Sequence, residues 1–173
     1  VQAARERMQA RRTLERGLLI VHTGNGKGKS SSAFGMAIRS LGWGMKVGIV
    51  QYVKGAWETG EKNFFQANPD LLTFEVMGEG FTWDTQDRAR DIEAARAAWE
   101  RSKELILDPQ YDFIILDELN IVLRQDTLPI DEIVAFLKTR PLTKHICITG
   151  RNAKPELLEL ADLVTEFEEV KHP

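Results

Sequence analysis

The residues best suited to chemistry fall in two groups: Gly24-Asn25-Gly26-Lys27-Gly28-Lys29-Ser30-Ser31, and the adjacent acids Asp117-Glu118. Glycines let successive backbone N–H groups turn inward around phosphate oxygens. The N-terminus of a following helix adds partial positive charge. Lys29 would bring a full charge to the β- and γ-phosphates, and the Ser30 hydroxyl suits Mg²⁺. The spacing departs from the common G-x-x-x-x-G-K-[ST] pattern. Its first glycine slot holds Thr23 and Gly24 comes one residue late, which leaves a shorter loop, G-x-x-x-G-K-S. A dinucleotide-binding G-x-G-x-x-G fits worse, because Lys29 fills the third glycine slot and the strand ending at Val50-Gln51 carries no acid for a ribose. The bland alternative is a surface turn. The apolar run Leu18 to Val21 before it and a helical pattern after it favour a phosphate loop.

Asp117-Glu118 closes the stretch Tyr111-Asp112-Phe113-Ile114-Ile115-Leu116, which is continuously apolar from Phe113. Such a run suits the buried centre of a parallel sheet, and ligands bind at the carboxyl ends of its strands. An acid placed there holds Mg²⁺ directly or through water in nucleotide sites. Two acids could instead cap the next helix. Together with the glycine loop they read as one Mg–nucleoside triphosphate site. No Ser/His/Asp or Cys/His constellation supplies a nucleophile. His22, His145 and His172 lack metal-ligand spacing, and Cys147 within Ile146-Cys147-Ile148 reads as buried filler. Glu118 could position water for hydrolysis, while Phe81 and Trp83 in Gly78-Glu79-Gly80-Phe81-Thr82-Trp83-Asp84 offer a surface for a second substrate. Folding back of both rings as a lid anchor is the alternative. An ATPase or kinase, a group transferase and an ATP-dependent binding module all stay open on these residues.

The positioning elements alternate. Helical spacing predicts Ser30 to Leu41 with Phe34, Ala37, Ile38 and Leu41 on its buried face, and Thr85 to Leu107 with Ile92, Ala95, Trp99, Ser102 and Ile106 inward. Further helices are expected at Glu61 to Ala67, Leu119 to Arg124, Ile130 to Lys138 and Pro155 to Leu160. Strands are expected at Met45 to Val53, Leu72 to Met77 and Leu163 to Phe167, besides the two already named, and Lys144 to Arg151 reads as a further strand with a ligand-side loop. This alternation gives an α/β layer sandwich with a mostly parallel sheet. Residues 1–16, with Arg5, Arg7, Arg11, Arg12 and Arg16, read as a solvated helix or mobile arm, with a flap over an anionic ligand as the functional alternative. Residues 17–173 form one domain.

At 173 residues and 43% hydrophobic content the chain can bury a real core. A net charge of −3 argues against nucleic acid or anionic lipid as a partner. The absence of a membrane-length apolar run or signal-peptide pattern, and a single cysteine, point to a cytoplasmic protein with no membrane partner.

The stretches Thr23 to Ser30, Val50-Gln51-Tyr52-Val53-Lys54-Gly55 and Gly80-Phe81-Thr82-Trp83-Asp84-Thr85-Gln86 closely resemble the P-loop type of ATP:corrinoid adenosyltransferases. Leu116-Asp117-Glu118-Leu119, Thr149-Gly150-Arg151 and Val170-Lys171-His172-Pro173 extend the resemblance over nearly all of residues 17–173. It implies a three-layer P-loop NTPase-like (RecA-like) fold, and transfer of the 5′-deoxyadenosyl group of ATP to Co(I) of a corrinoid with release of triphosphate. Residues Asn25 to Ser30, with Gly24 and Ser31 beside them, would then hold ATP, Lys27 and Lys29 offsetting its charge, and Arg39 would touch the phosphate tail. Ser30 and Glu118 would hold Mg²⁺; relatives often carry threonine at the Ser30 position, and the hydroxyl is kept. Phe81 and Trp83 would displace the lower axial ligand of Co(II), easing its reduction by a flavoprotein. The resemblance also implies a homodimer in which the N-terminal arm closes over the corrinoid.

Overall fold

The computed structural model describes residues 2–9, 16–53, 59–76 and 87–173. In chain order the elements are α1 (Gln2–Gln9), β1 (Leu19–Thr23), α2 (Lys29–Gly42), β2 (Val47–Gln51), α3 (Gly60–Ala67), β3 (Leu72–Val76), α4 (Arg88–Leu107), β4 (Phe113–Asp117), α5 (Leu119–Arg124), α6 (Ile130–Lys138), β5 (His145–Thr149), α7 (Pro155–Leu160) and β6 (Leu163–Glu166). The strands form one sheet in the order β3-β2-β4-β5-β1-β6, with every pairing parallel.

Alternation along each strand divides the core in two. Leu19 and Val21, Val50, Ile114 and Leu116, and Ile146 and Ile148 face a cluster closed by α4, α5, α6 and α7, with Trp99 fully buried within it. Ile20, Val47 and Ile49, Phe113 and Ile115, and Cys147 face the cluster that α2 and α3 close with Phe34, Ala37 and Phe65. Side chains on successive strand residues point to opposite faces, so an uninterrupted apolar strand supplies both clusters. The result is the three-layer α/β sandwich expected from the sequence.

Local signals set the helix ends. Asp87 caps α4 by accepting from the Arg90 N–H at 3.2 Å, and Thr59 caps α3 by accepting from that of Lys62 at 3.3 Å. Asp108-Pro109 closes α4. The predicted buried faces need two corrections: Ile38 is 57% exposed and Ile92 is 39% exposed. Ala33, Phe34 and Ala37 suffice to seat α2, and Ala95, Ala98 and Trp99 seat α4. Both isoleucines therefore lie beyond the strip of helix surface that reaches the sheet.

Candidate active site

β1 delivers the chain to the glycine loop at Thr23, at the carboxyl edge of the sheet. Gly24 (φ 98°) and Gly28 (φ 110°) adopt the left-handed conformation that disfavours side chains. Gly28 stands at the N-cap of α2 without a side-chain cap, and the first helical bond runs from the Ser32 N–H to Gly28 O at 2.9 Å. The amides of Lys29, Ser30 and Ser31 precede that bond and have no helical acceptor. They present α2's positive end to the loop, as an anion site requires. Lys29 is buried, and its Nζ donates to Gly26 O at 2.5 Å. Asn25, Lys27 and Ser31 are exposed around the same turn.

The acids arrive from β4. Because β5 lies between β1 and β4, its last residue, Thr149, sits between the loop strand and the acid strand. Thr149 Oγ1 donates to Asp117 Oδ1 at 2.8 Å and accepts the Glu118 N–H at 3.0 Å. Ser30 Oγ donates to the same Asp117 oxygen at 2.7 Å, and Gln51 Nε2 donates to the other at 3.0 Å. One hydrogen-bonded unit thus joins the phosphate loop to the ends of β2, β4 and β5. Glu118 follows in the left-handed region, at φ 63°. Its Oε2 lies 3.3 Å from where a Cβ on Gly150 would stand, so its carboxylate reaches back over the β5 loop.

The Ser30 hydroxyl and the two carboxylates are hard oxygen donors of the kind Mg²⁺ takes. Among the described residues no cluster of three or more His, Cys, Asp or Glu could hold a metal. One hydroxyl and two carboxylates are the kind of partial donor set that Mg²⁺ completes with phosphate oxygens in nucleotide sites.

Burial, and then the neighbouring charge of Asp117, push the Glu118 carboxyl up to about 7, against the pull of Lys29, Arg151 and Arg124. The folded chain therefore holds this proton more tightly than the unfolded chain. Its contribution to stability is largest below the ordinary value of 4.5 and is lost as pH rises towards 7. A divalent cation held by this carboxylate would select the ionised form and release the proton. From pH 6 upwards the Mg²⁺ affinity of the ATP-bound chain should rise more steeply than that of Glu118→Gln, which has no proton to release there. Mg²⁺ titrations across that range check this, and parallel profiles for the two proteins would contradict it.

The family model for the ATP:corrinoid adenosyltransferases (BtuR/CobO/CobP) matches residues 15–173. The chain belongs to this family. A corrinoid adenosyltransferase of Pseudomonas aeruginosa is 51% identical, the alignment covering 99% of this chain and 89% of the relative. One from Sinorhizobium is also 51% identical, over 99% of this chain and 81% of the relative. That of Escherichia coli K12 is 48% identical, over 91% of this chain and 80% of its own length.

For this adenosyltransferase-family chain, the structure brings Gly24 to Ser31, Asp117 and Glu118 to one corner of the sheet, but it does not bring Arg39 there. Arg39 lies in the last turn of α2, about 14 Å along the axis from Ser30 at 1.5 Å per residue. It lines a depression with Trp43, Met45, Phe113 and His145, where β4 and β5 begin. The expected contact with the phosphate tail is therefore corrected: α2 carries this arginine to the opposite edge of the sheet. The Gly26 N–H donates to Phe167 O at 2.7 Å. Phe81 and Trp83, and the Lys54-Gly55 part of the motif, lie outside the described residues.

Sequence reasoning placed Thr149 and Arg151 in a ligand-side loop and Gln51 in a family motif without giving any of them a role, and it missed Phe167. Burial and the charge of Arg151 are the first two causes holding the Lys29 ammonium below its ordinary value, with Glu118 opposing. Arg151 is thus a further cation, beside Lys27 and Lys29, near the place a triphosphate would occupy. Cys147 behaves as expected of buried filler, burial pushing its thiol up to about 12. Beside the acids a cleft of about 260 Å³ opens between Ser30, Phe34, Gln51, Val53, Thr59 and Lys62. Enclosing ligand pockets usually span about 300–1,000 Å³, so these residues would take only one edge of a large second substrate.

Proposed function

We propose that this chain transfers the 5′-deoxyadenosyl group of ATP to the Co(I) centre of a corrinoid substrate and releases inorganic triphosphate. The observation that carries the reading is the union of a phosphate loop with an acid pair through the 2.7 Å Ser30–Asp117 bond, in a chain of this family. Co(I) attacks the ribose C5′ with its electron pair, the Co–C bond forms, and the C5′–O bond breaks. The bonding electrons leave on the triphosphate. That polyanion is what Lys29, the free amides at the start of α2 and Arg151 can neutralise. Ser30 and Glu118 would hold Mg²⁺, beside Asp117, and the ion supplies further charge neutralisation to the leaving group. The protein needs no nucleophile of its own, because the substrate brings one.

The same resemblance supports a role for Phe81 and Trp83 beneath the corrin, where they would exclude the lower axial ligand of Co(II). Losing that donor lowers the cobalt orbital that accepts an electron from a flavoprotein. Trp83→Ala should therefore slow adenosylation from Co(II) by about tenfold or more while leaving the rate from pre-formed Co(I) within about twofold, tenfold corresponding to 1.4 kcal/mol. Parallel anaerobic assays from the two oxidation states check this, and equal losses in both would contradict it. A homodimer, with residues 1–16 as the closing arm, belongs to the same reading, as does a cytoplasmic location. Among the described residues no helix is long and apolar enough to cross a membrane.

Chain, ATP, Mg²⁺ and chemically reduced cobalamin should together yield adenosylcobalamin and triphosphate in equal amounts. Orthophosphate or pyrophosphate as the stoichiometric product, or turnover without corrinoid, would overturn the reading.

A further inference from the structure

The glycine loop is held from behind by a segment about 140 residues away in sequence. At the end of β6 the Phe167 N–H donates to Thr23 O at 2.9 Å, and Phe167 O accepts the Gly26 N–H at 2.7 Å. A Cβ on Gly24 would stand 2.4 Å from Phe167 O, and one on Gly26 would stand 2.6 Å from Glu168 O. Neither approach leaves room for a side chain, so these glycines are required by the strap as much as by a ligand. The Phe167 ring lies 3.4 Å from where a Cβ on Gly28 would stand, and its centroid is 5.3 Å from that of the His22 ring. His22 is itself buried, with Nδ1 3.1 Å from Lys29 O and 3.0 Å from Ser32 Oγ. The loop and the first turn of α2 therefore rest on a two-ring support.

We propose that Phe167 is a positioning residue for the triphosphate: its main chain takes the Gly26 amide out of the anion cradle, and its ring, through His22, sets the loop against the start of α2. This rests on reading the loop as the triphosphate site. It gives a physical reason for the shortened loop. A longer loop wraps its own amides around the β-phosphate, whereas here one amide is spent on the strap, and the remaining donors are those at Lys29, Ser30 and Ser31. Fixing the loop before the ligand arrives lowers the ordering cost of binding.

Calorimetric titration with inorganic triphosphate and with ATP tests the proposal. Phe167→Ala should weaken both by about tenfold and raise KM for ATP with kcat within about twofold, and Phe167→Leu should restore most of the loss. Wild-type and Phe167→Ala chains with equal affinity would overturn the proposal alone, while a wild type that binds neither ligand overturns it together with the functional reading. Amide exchange of the wild type by NMR needs no variant and so guards against one that fails to fold. Gly26 should be protected before ligand is added, and Lys29, Ser30 and Ser31 should gain protection only with triphosphate. A Gly26 amide that exchanges freely until triphosphate binds would overturn the proposal.

Discussion

Replacing Lys29 by alanine lowers kcat/KM for ATP by about a thousandfold, the scale of losing one preorganised charge on a transition-state anion. Without ligand the ammonium rests on a single carbonyl, Gly26 O at 2.5 Å, with burial holding its pKa below the ordinary 10.5. A buried charge with one neutral partner is a cost to the folded chain. Triphosphate removes that cost, and most fully as charge develops on the departing oxygen. The melting temperature of the ligand-free Lys29→Ala chain should therefore be unchanged or raised while turnover collapses. Arginine should not rescue, because its planar fork does not fit where a compact ammonium sits under a tight loop. Steady-state kinetics beside thermal melts check both halves. A variant with near-normal kcat/KM would remove Lys29 from the mechanism.

Asp117→Asn should reduce kcat by about a hundredfold or more and raise the Mg²⁺ concentration needed for half-maximal rate. The carboxylate accepts from Ser30 Oγ and Thr149 Oγ1 on one oxygen and from Gln51 Nε2 on the other. An asparagine has one acceptor oxygen, so its NH₂ must face either the Gln51 amide or the pair of hydroxyls. In the Gln51 arrangement the Gln51 amide must turn over so that Oε1 accepts the new NH₂, and the carboxylate's negative charge is lost beside Ser30. The other arrangement breaks the link that seats Ser30. Thr149 Oγ1 could accept with its second lone pair beside the Glu118 N–H at 3.0 Å, but its own proton would then lose the Asp117 oxygen it is donated to. Mg²⁺ titrations of the rate test this directly. A wild-type Mg²⁺ dependence in the variant would show that the Ser30–Asp117 unit plays no part in metal use.

The loop and the acid strand were legible in the sequence because each is a local pattern: glycines ahead of Lys-Ser, and an apolar run ending in acids. The sheet supplied what spacing could not. Gln51, Thr149 and Phe167 meet the site only because β2, β5 and β6 end at the same edge as β1 and β4. No periodicity in residues 145–168 marks Thr149 as bridging two acids, or Phe167 as lying behind Gly24 and Gly26. Arg39 shows the reverse error. The family resemblance implied a phosphate contact for it, yet the rise of a helix carries nearby residues out of reach within two turns. Ile38 and Ile92 were assigned inward by helical spacing, but small residues, Ala33 and Ala37 on one helix and Ala95 and Ala98 on the other, let those helices lie close along a narrower face. The family resemblance carried the aromatic pair Phe81 and Trp83, for which local physics left two readings open.

The central claim is that the triphosphate held by Lys29 and the start of α2 is a leaving group, and that the ribose carbon is what moves. ATP carrying ¹³C at the 5′ carbon, turned over with reduced cobalamin and followed by NMR, tests it most directly. The account predicts that the label appears in a carbon bonded to cobalt as unlabelled triphosphate accumulates in equal amount. Label retained in a nucleoside diphosphate or triphosphate while phosphate is released would contradict it.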